Sequence, residues 1–385
     1  MHSHHSHSGE FCKHAKSMLE EVVAYAYDIN FTHFHLSEHT PREYAEQLYP
    51  EEEEAGLTPA GLAAQFRAYL AKARAIQREY AVRPRPMHVL VGCETENISS
   101  PASIDFLTRV LQPAWVAGDD TARPKHLPPA YVGIGVVDYL VGSVHHACGV
   151  PIDFDKSTFE RALRCCSGDA SKAQPIHAPM YWKLLDAYLD AQYEVMDRLR
   201  PEVIGHMDLY RLFAPQGPWL PSADSDQGAA LRMKLTRNIR FAVSYGALIE
   251  ANSAAFRKGW DGETYPGREV LRMIRAAHGR IALSDDSHGT EQVALNYQRL
   301  RGYLAAEGVD EIWVLESDHT PHIPDPHTVW TTYKEQEDAR KLRFETNGTS
   351  SAPPTHYPRG TRAVAHGPSW QQAPFWTTLP ASRAT

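Results

Sequence analysis

Short apolar runs alternate along this chain with longer stretches in which apolar residues recur every three or four positions. The short runs predict strands over residues 2–6, 32–38, 87–94, 138–145, 202–206, 247–252, 280–285 and 311–315. Between them, Leu231, Leu235, Ile239, Ala242 and Val243 share one helical face. Residues 62–80 (Leu62, Phe66, Leu70, Ala73, Ile76) and 184–199 (Leu184, Leu185, Tyr188, Leu189, Val195, Met196, Leu199) repeat the pattern. Strands separated by amphipathic helices predict an α/β fold, with parallel strands joined by helical crossovers. Two segments break the alternation. Residues 113–131 mix prolines, glycine and charges without a period, which predicts a surface loop insertion. Residues 346–368 are rich in Ser, Thr, Pro and Gly, which predicts a flexible segment, with 374–376 able to dock back on the body. The expected division is therefore one folded unit over 1–345, ending in a last strand and helix over 311–345, and a flexible tail over 346–385.

Composition adds constraints. Of the 385 residues, 43% are apolar, enough for a sizeable core. Lys and Arg number 39 against 47 Asp and Glu, a net charge of −8 with no dense basic stripe, which argues against nucleic-acid or polybasic membrane surfaces. No run approaches 18 apolar residues and the N-terminus lacks the apolar core of a signal peptide, so the expectation is a soluble, cytoplasmic protein with a small-molecule partner. The five cysteines are dispersed, as suits reduced thiols. The anomaly is 21 histidines, with His2, His4, His5, His7 and His14 in the first 14 residues.

That N-terminal crowd alone fits an expression tag or a metal-buffering tract. Other positions argue for something more specific. His5 and His7 have the H-x-H spacing that puts two imidazoles on one side of a strand. Glu38 and His39, Glu94, His145, His206, Asp286 and His288 each follow a predicted strand. In a barrel of parallel strands all these ends lie on one face, so residues distant in sequence converge there. The convergence predicts a metal centre.

At these residues the chain resembles the polymerase-and-histidinol-phosphatase (PHP) superfamily, in particular its fungal and bacterial histidinol-phosphatase branch. The resemblance spans most of 1–316 and rests on HSHHSHSGEFCKHA (2–15), LSEHTPR (36–42), VGCETE (91–96), YLVGSVHHACGVPIDFD (139–155), VIGHMDLYR (203–211), IEANSAAFRK (249–258) and LSDDSHG (283–289). It implies a distorted (β/α)7 TIM-like barrel over 1–345 with three divalent ions, zinc, iron or manganese, at the C-terminal ends of the strands. His5, His7, Glu94 and Asp286 would hold one ion. Glu94 would bridge to a second held by His145 and His206, and His14, His39 and His288 would hold the third. The implied reaction is hydrolysis of L-histidinol phosphate in L-histidine biosynthesis, through a metal-bridging hydroxide positioned by Glu94 and Asp286. Arg257 is the candidate for binding phosphate, with Lys258 and Arg211 weaker ones. Glu38 would touch the substrate's amino or imidazole group, or else orient a ligand.

The remaining candidates carry blander expectations. His2 and His4 lack the spacer before His14, His146 should point away from His145, and Asp285 should orient rather than ligate. Cys12 lies near the site and is left unassigned. His33, His35, His88, His126, His177, His278 and His319 are expected to be structural or exposed. Two other readings stay open: a PHP-type phosphoesterase acting on another small phosphate ester or nucleotide, and a metal-storage or sensing protein built on the N-terminal histidines.

Overall fold

Every residue of the runs Tyr139–Gly142 and Leu248–Asn252 is buried, as befits strands covered on both faces. The computed structural model, which describes residues 1–99, 101–121, 127–169, 175–214, 220–259, 262–318 and 326–380, places both runs in one parallel sheet. Its order is Arg280–Ser284, Leu248–Asn252, Val203–Ile204, Tyr139–Gly142 and Gly92–Glu94. Parallel bridges His33–His88, Leu36–Val91 and His39–Glu94 bring residues 33–39 alongside 88–94. His2–Ser3 runs parallel to His33–Phe34, and Ser6–His7 runs parallel to Ser287–His288. Because these pairings are all parallel, the C-terminal ends of the strands face one way.

The crossover helices form where the apolar period and the capping residues agree. Leu62, Phe66, Leu70, Ala73 and Ile76 are buried on Pro59–Ala81, whose first turn is capped by the Thr58 side chain accepting the Gly61 N–H. Leu231, Leu235, Ile239, Ala242 and Val243 are buried on Asp226–Ser244, capped in the same way by Ser225 and the Gly228 N–H. Each fully buried Leu, Ile or Phe contributes roughly 1.5–3 kcal/mol, so these faces hold the helices to the sheet. Close packing also reaches the strand that carries Glu94. A Cβ on Gly92 would come 2.3 Å from the Tyr139 ring, whose hydroxyl donates to the His4 carbonyl at 2.8 Å. Only glycine lets that ring cross the strand.

Three expectations need correction. The segment 346–368 is not uniformly loose: His356–Tyr357 and Thr361–His366 are strands, the latter antiparallel to Ile312–Ser317. Arg359 pins the turn between them by pairing with buried Glu202 at 2.7 Å and donating to the Val132, Arg200 and Leu199 carbonyls. Backbone pairing and one buried arginine thus supply what the composition lacks in apolar area. Phe375 and Trp376, farther along, pack near Phe31 and Tyr297. The loop 113–131 contains a helical turn, Pro113–Val116, whose buried Trp115 lies 3.9 Å under the Arg67 guanidinium. Residues 122–126, and with them His126, lie outside the described residues, as does His319. Finally, the predicted strand 2–6 is broken by a bend at His4. No helix among the described residues is long and apolar enough to cross a membrane.

The bend at His4 separates two H-x-H pairs. His5 and His7 face the strand ends, whereas His2 and His4 bind backbone. Leu283 N–H donates to His2 Nε2 at 2.8 Å and Leu315 N–H to His4 Nε2 at 2.9 Å. His35 Nδ1 accepts from Leu90 N–H at 3.2 Å while its Nε2 donates to the Leu315 carbonyl at 3.0 Å. A ring nitrogen that accepts a proton-bearing donor must be unprotonated, so this layer is built of neutral imidazoles. Burial accordingly pushes His4 down to about 3 and His33 to about 4, with His2 and His35 also well below the ordinary value.

The pH dependence follows from that depression. An unfolded imidazole titrates near 6.5 and folded His4 near 3, so between these values the unfolded chain holds the extra proton. The contribution is complete above about pH 6.5 and is lost as pH falls below it. Chemical denaturation of the wild type and of His4→Gln at pH 7.5 and pH 5 should show the wild type losing on the order of 2 kcal/mol more than the variant. Equal losses would contradict the neutral role of His4.

Candidate metal centre

The strand ends deliver side chains from six separated segments to one buried place. Glu94 ends its strand, and His145 and His206 follow Tyr139–Gly142 and Val203–Ile204 by a few residues. Asp286, in a left-handed conformation at φ 48°, and His288 follow Arg280–Ser284. Five imidazoles converge on the Glu94 carboxylate. Its Oε1 lies 3.1 Å from His5 Nε2, 3.2 Å from His145 Nε2 and 3.1 Å from His206 Nε2. Its Oε2 lies 3.0 Å from His39 Nδ1 and 3.4 Å from His7 Nε2. Asp286 Oδ1 is 3.6 Å from both His5 Nε2 and His7 Nε2.

These spacings suit a shared cation. Two donors each about 2.0–2.1 Å from one ion at the tetrahedral angle stand about 3.3 Å apart. The buried His5 Nε2, His7 Nε2 and His39 Nδ1 make no hydrogen bond of acceptable geometry, although carboxylates are close. Nitrogens so directed fit donors aimed at a common centre rather than at one another. Among the described residues, three sets of ligand atoms group together within 4.8 Å: His5, His7 and Asp286; His5, Glu94 and His206; and His7, Cys12, His39 and His288.

Charge tells the same story. Burial opposes ionisation of every group here, and the neighbours decide the outcome. His5 is nevertheless carried well above the ordinary imidazole range by Glu94, Asp286 and Glu250, and His145 by Glu96 and Glu94. Glu38 and Glu94 bring His7 up to about 9, against its burial. Burial, and then the charge of His7, push His39 down to about 3 and His288 well below its ordinary value. Glu94 and Asp286 stay far below the carboxylate range because the imidazoles outweigh burial. Metal ligands must be deprotonated, so a divalent ion competes with these protons for the same lone pairs.

Behind the inward-facing donors stand groups that hold them. Glu250 accepts from His5 Nδ1 at 3.1 Å, from the His206 amide and from Asn252 Nδ2, leaving His5 Nε2 to face the centre. Glu96 lies 2.9 Å from His145 Nδ1. Both were missed from sequence, though each had a signal. Glu250 is a carboxylate in the middle of the apolar run Leu248–Ala251, and Glu96 stands two residues beyond Glu94, the spacing that keeps an extended chain on one side. Asp285 accepts from Ser3 Oγ, Ser287 N–H and Ala294 N–H and so shapes the turn that carries Asp286. His146 stacks on Tyr49 with ring centroids 5.8 Å apart.

A cavity of about 460 Å³ opens over the centre. Arg257 and Lys258 line it, as do His14, His39, Glu94, His145, His206, Asp286 and His288. Arg257 is anchored by donating to the Asp285 carbonyl at 2.9 Å and the Asp286 carbonyl at 2.6 Å. Glu38 does not line the cavity. It sits behind His7, taking hydrogen bonds from Ser8 N–H and Oγ at 2.8 and 2.6 Å, so its position suits the orienting role and not substrate contact. Arg211 is likewise spent on Asp208 and Glu263. His14 stands at the rim: its side chain is 39% exposed, and its Nδ1 is 2.8 Å from Glu51.

Residues 3–254 match the PHP domain family. The "Probable histidinol-phosphatase" of Schizosaccharomyces pombe is 37% identical over 314 residues, covering 82% of this chain and 89% of that protein. The "Histidinol-phosphatase" of Saccharomyces cerevisiae is 30% identical over 344 residues, covering 83% and 93%. Among solved structures, the hisK protein of Listeria monocytogenes superposes with a TM-score of 0.55 at 18% identity, over 77% of this chain and 98% of that one. The histidinol phosphate phosphatase of Lactococcus lactis, complexed with Zn, L-histidinol and phosphate, gives 0.52 at 16% identity over 81% and 95%. At such identities the structural likeness bears on the fold alone.

Replacing Glu94 with Gln removes the one charge that five imidazoles share. Elemental analysis of the purified variant should find bound metal reduced, and turnover lost with it. Full metal content with normal turnover would contradict a bridging role. Glu250→Gln, which keeps every inward-facing donor but weakens the hold on His5 and on the His206 backbone, should weaken metal binding by about 10- to 100-fold while the protein stays folded. Unchanged affinity in a chelator competition would rule that out.

Proposed function

The chain belongs to the PHP domain family, and on that premise we propose that it is a histidinol-phosphatase, hydrolysing L-histidinol phosphate to L-histidinol and phosphate with divalent metal ions. The observation that carries the reading is the convergence of His5, His7, His39, His145 and His206 on Glu94 at the floor of a cavity that also holds Arg257. His5, His7, Glu94 and Asp286 would hold one ion, Glu94, His145 and His206 a second, and His39, His288 and His14 a third. The fold that supports them is proposed as a distorted (β/α)7 barrel. The parallel pairings of His2–Ser3 with His33–Phe34 and of Ser6–His7 with Ser287–His288 support its closure.

When bound, divalent cations supply Lewis-acid charge to the phosphoryl and leaving oxygens and acidify the attacking water. The protein's own groups bind and orient. Arg257, locked by two backbone carbonyls, offers its remaining N–H groups to a phosphate oxygen, and Lys258 adds charge beside it. Glu54 and Asp153 line the same cavity and give the substrate's amino and imidazole end an anionic counterpart. A cavity bearing both signs of charge fits a molecule with a phosphate at one end and a cation at the other. Glu250 holds His5 in the tautomer that leaves Nε2 facing Glu94, and the Glu96 carboxylate behind His145 Nδ1 favours the same orientation there.

Phosphate release from metal-loaded protein, measured on histidinol phosphate, a nucleoside monophosphate, a sugar phosphate and a phosphodiester, tests the assignment. Histidinol phosphate should lead in kcat/KM by at least about tenfold, the equivalent of roughly 1.4 kcal/mol of transition-state binding. A better rate on another ester would overturn it. Arg257→Ala should bind inorganic phosphate roughly 10- to 150-fold more weakly, the loss expected from one or two charge-assisted hydrogen bonds, with its metals retained. An unchanged inhibition constant would remove Arg257 from the phosphate site.

A further inference from the structure

After Ser6–His7 the chain turns back over the metal centre, and the Cys12 amide donating to the Ser8 carbonyl at 2.9 Å closes that turn. Cys12 comes out of it 4% exposed. Its sulfur belongs with nitrogens of His7, His39 and His288 to a set of ligand atoms lying within 4.8 Å of one another, and stands 3.2 Å from His14 Nε2. Both ring nitrogens of His39 are buried without a hydrogen bond. His14, by contrast, is the most exposed of the imidazoles here and is turned toward Glu51.

A buried cysteine ordinarily fills space as a small apolar group. Apolar filling does not account for a sulfur surrounded by the polar edges of four imidazoles. Cys93 shows the contrast: it is fully buried within the apolar core cluster and belongs to none of the donor sets found among the described residues.

We propose that Cys12 is a thiolate ligand of the ion held by His39 and His288, with His14 completing the set from the rim. It rests on the reading above that this cluster holds a divalent cation. As the ion binds, the S–H bond breaks, its electron pair forms the metal–sulfur bond and the proton passes to solvent, with no change of oxidation state. The chemical consequence is selectivity. A soft thiolate beside imidazoles favours zinc, cobalt or ferrous iron over manganese and magnesium, whereas the sets around Glu94 offer only nitrogen and carboxylate oxygen. One position of the centre therefore discriminates among ions more sharply than the other two.

Cobalt(II) reports such a bond directly, because thiolate-to-cobalt charge transfer absorbs in the near ultraviolet. The full chain would carry Cys148→Ser, Cys165→Ser and Cys166→Ser, which removes the exposed and half-buried thiols and leaves Cys12 and Cys93. Loaded with cobalt, it should bind three ions per chain and show the band. Adding Cys12→Ser should abolish the band, and adding Cys93→Ser should leave it. Three bound ions without the band would overturn the thiolate while leaving the trinuclear reading intact. Fewer than three ions and no band would overturn both. A band that survives Cys12→Ser is equally fatal. If Cys12→Ser does not fold, the Cys93→Ser protein decides, since Cys12 is then its sole thiol and the band must be present. None of these readings depends on phosphatase activity.

Discussion

A carboxylate with almost no exposure, ringed by five imidazoles, cannot be held in a protein interior unless something of opposite charge shares the space. Glu94 imposes that condition, and much of the architecture answers it. Parallel strands bring His5, His39, His145, His206 and Asp286 to one face from positions up to 281 residues apart, the separation of His5 and Asp286. Glu250 then fixes the outward nitrogen of His5, and Glu96 and Glu38 stand close behind those of His145 and His7, so that the inward ones converge. Without ions the imidazoles can meet the condition only by taking up protons unevenly, raised at His5 and His145 and suppressed at His39 and His288. Divalent cations meet it more completely and leave charge to act on a phosphate.

The histidine-rich N-terminus serves two purposes that composition alone could not separate. A bend at His4 turns His5 and His7 toward the centre and leaves His2 and His4 bound to the Leu283 and Leu315 backbones. One pair is polar because it faces the Glu94 and Asp286 carboxylates. The other is polar because it satisfies the peptide groups of neighbouring strands, a role that apolar residues cannot fill.

The parts of the site legible in the sequence were those at the ends of well-marked strands. Glu94, His145, His206, Asp286 and His288 each follow an apolar run, and strand direction alone brings them together. Glu250 escaped notice because it lies within such a run rather than after it. Cys12 and His14 lie in a turn, where no period predicts direction, and their relative burial emerges only once the turn is folded. Arg257 was legible as a charge near a strand end, but its anchoring on two carbonyls was not. The same limit applies to the tail. Its polar, proline-containing sequence gives no core signal, whereas its order depends on Thr361–His366 pairing with a strand already in place and on Arg359 reaching Glu202.

Diffraction from metal-loaded crystals, recorded on either side of the metal absorption edge, addresses the proposed trinuclear centre most directly. A centre bridged by Glu94 predicts three anomalous peaks at the strand ends, two of them within about 2.0–2.2 Å of Glu94 carboxylate oxygens. Peaks that leave Glu94 uncoordinated, or that lie among His2, His4 and His35 instead, would contradict it.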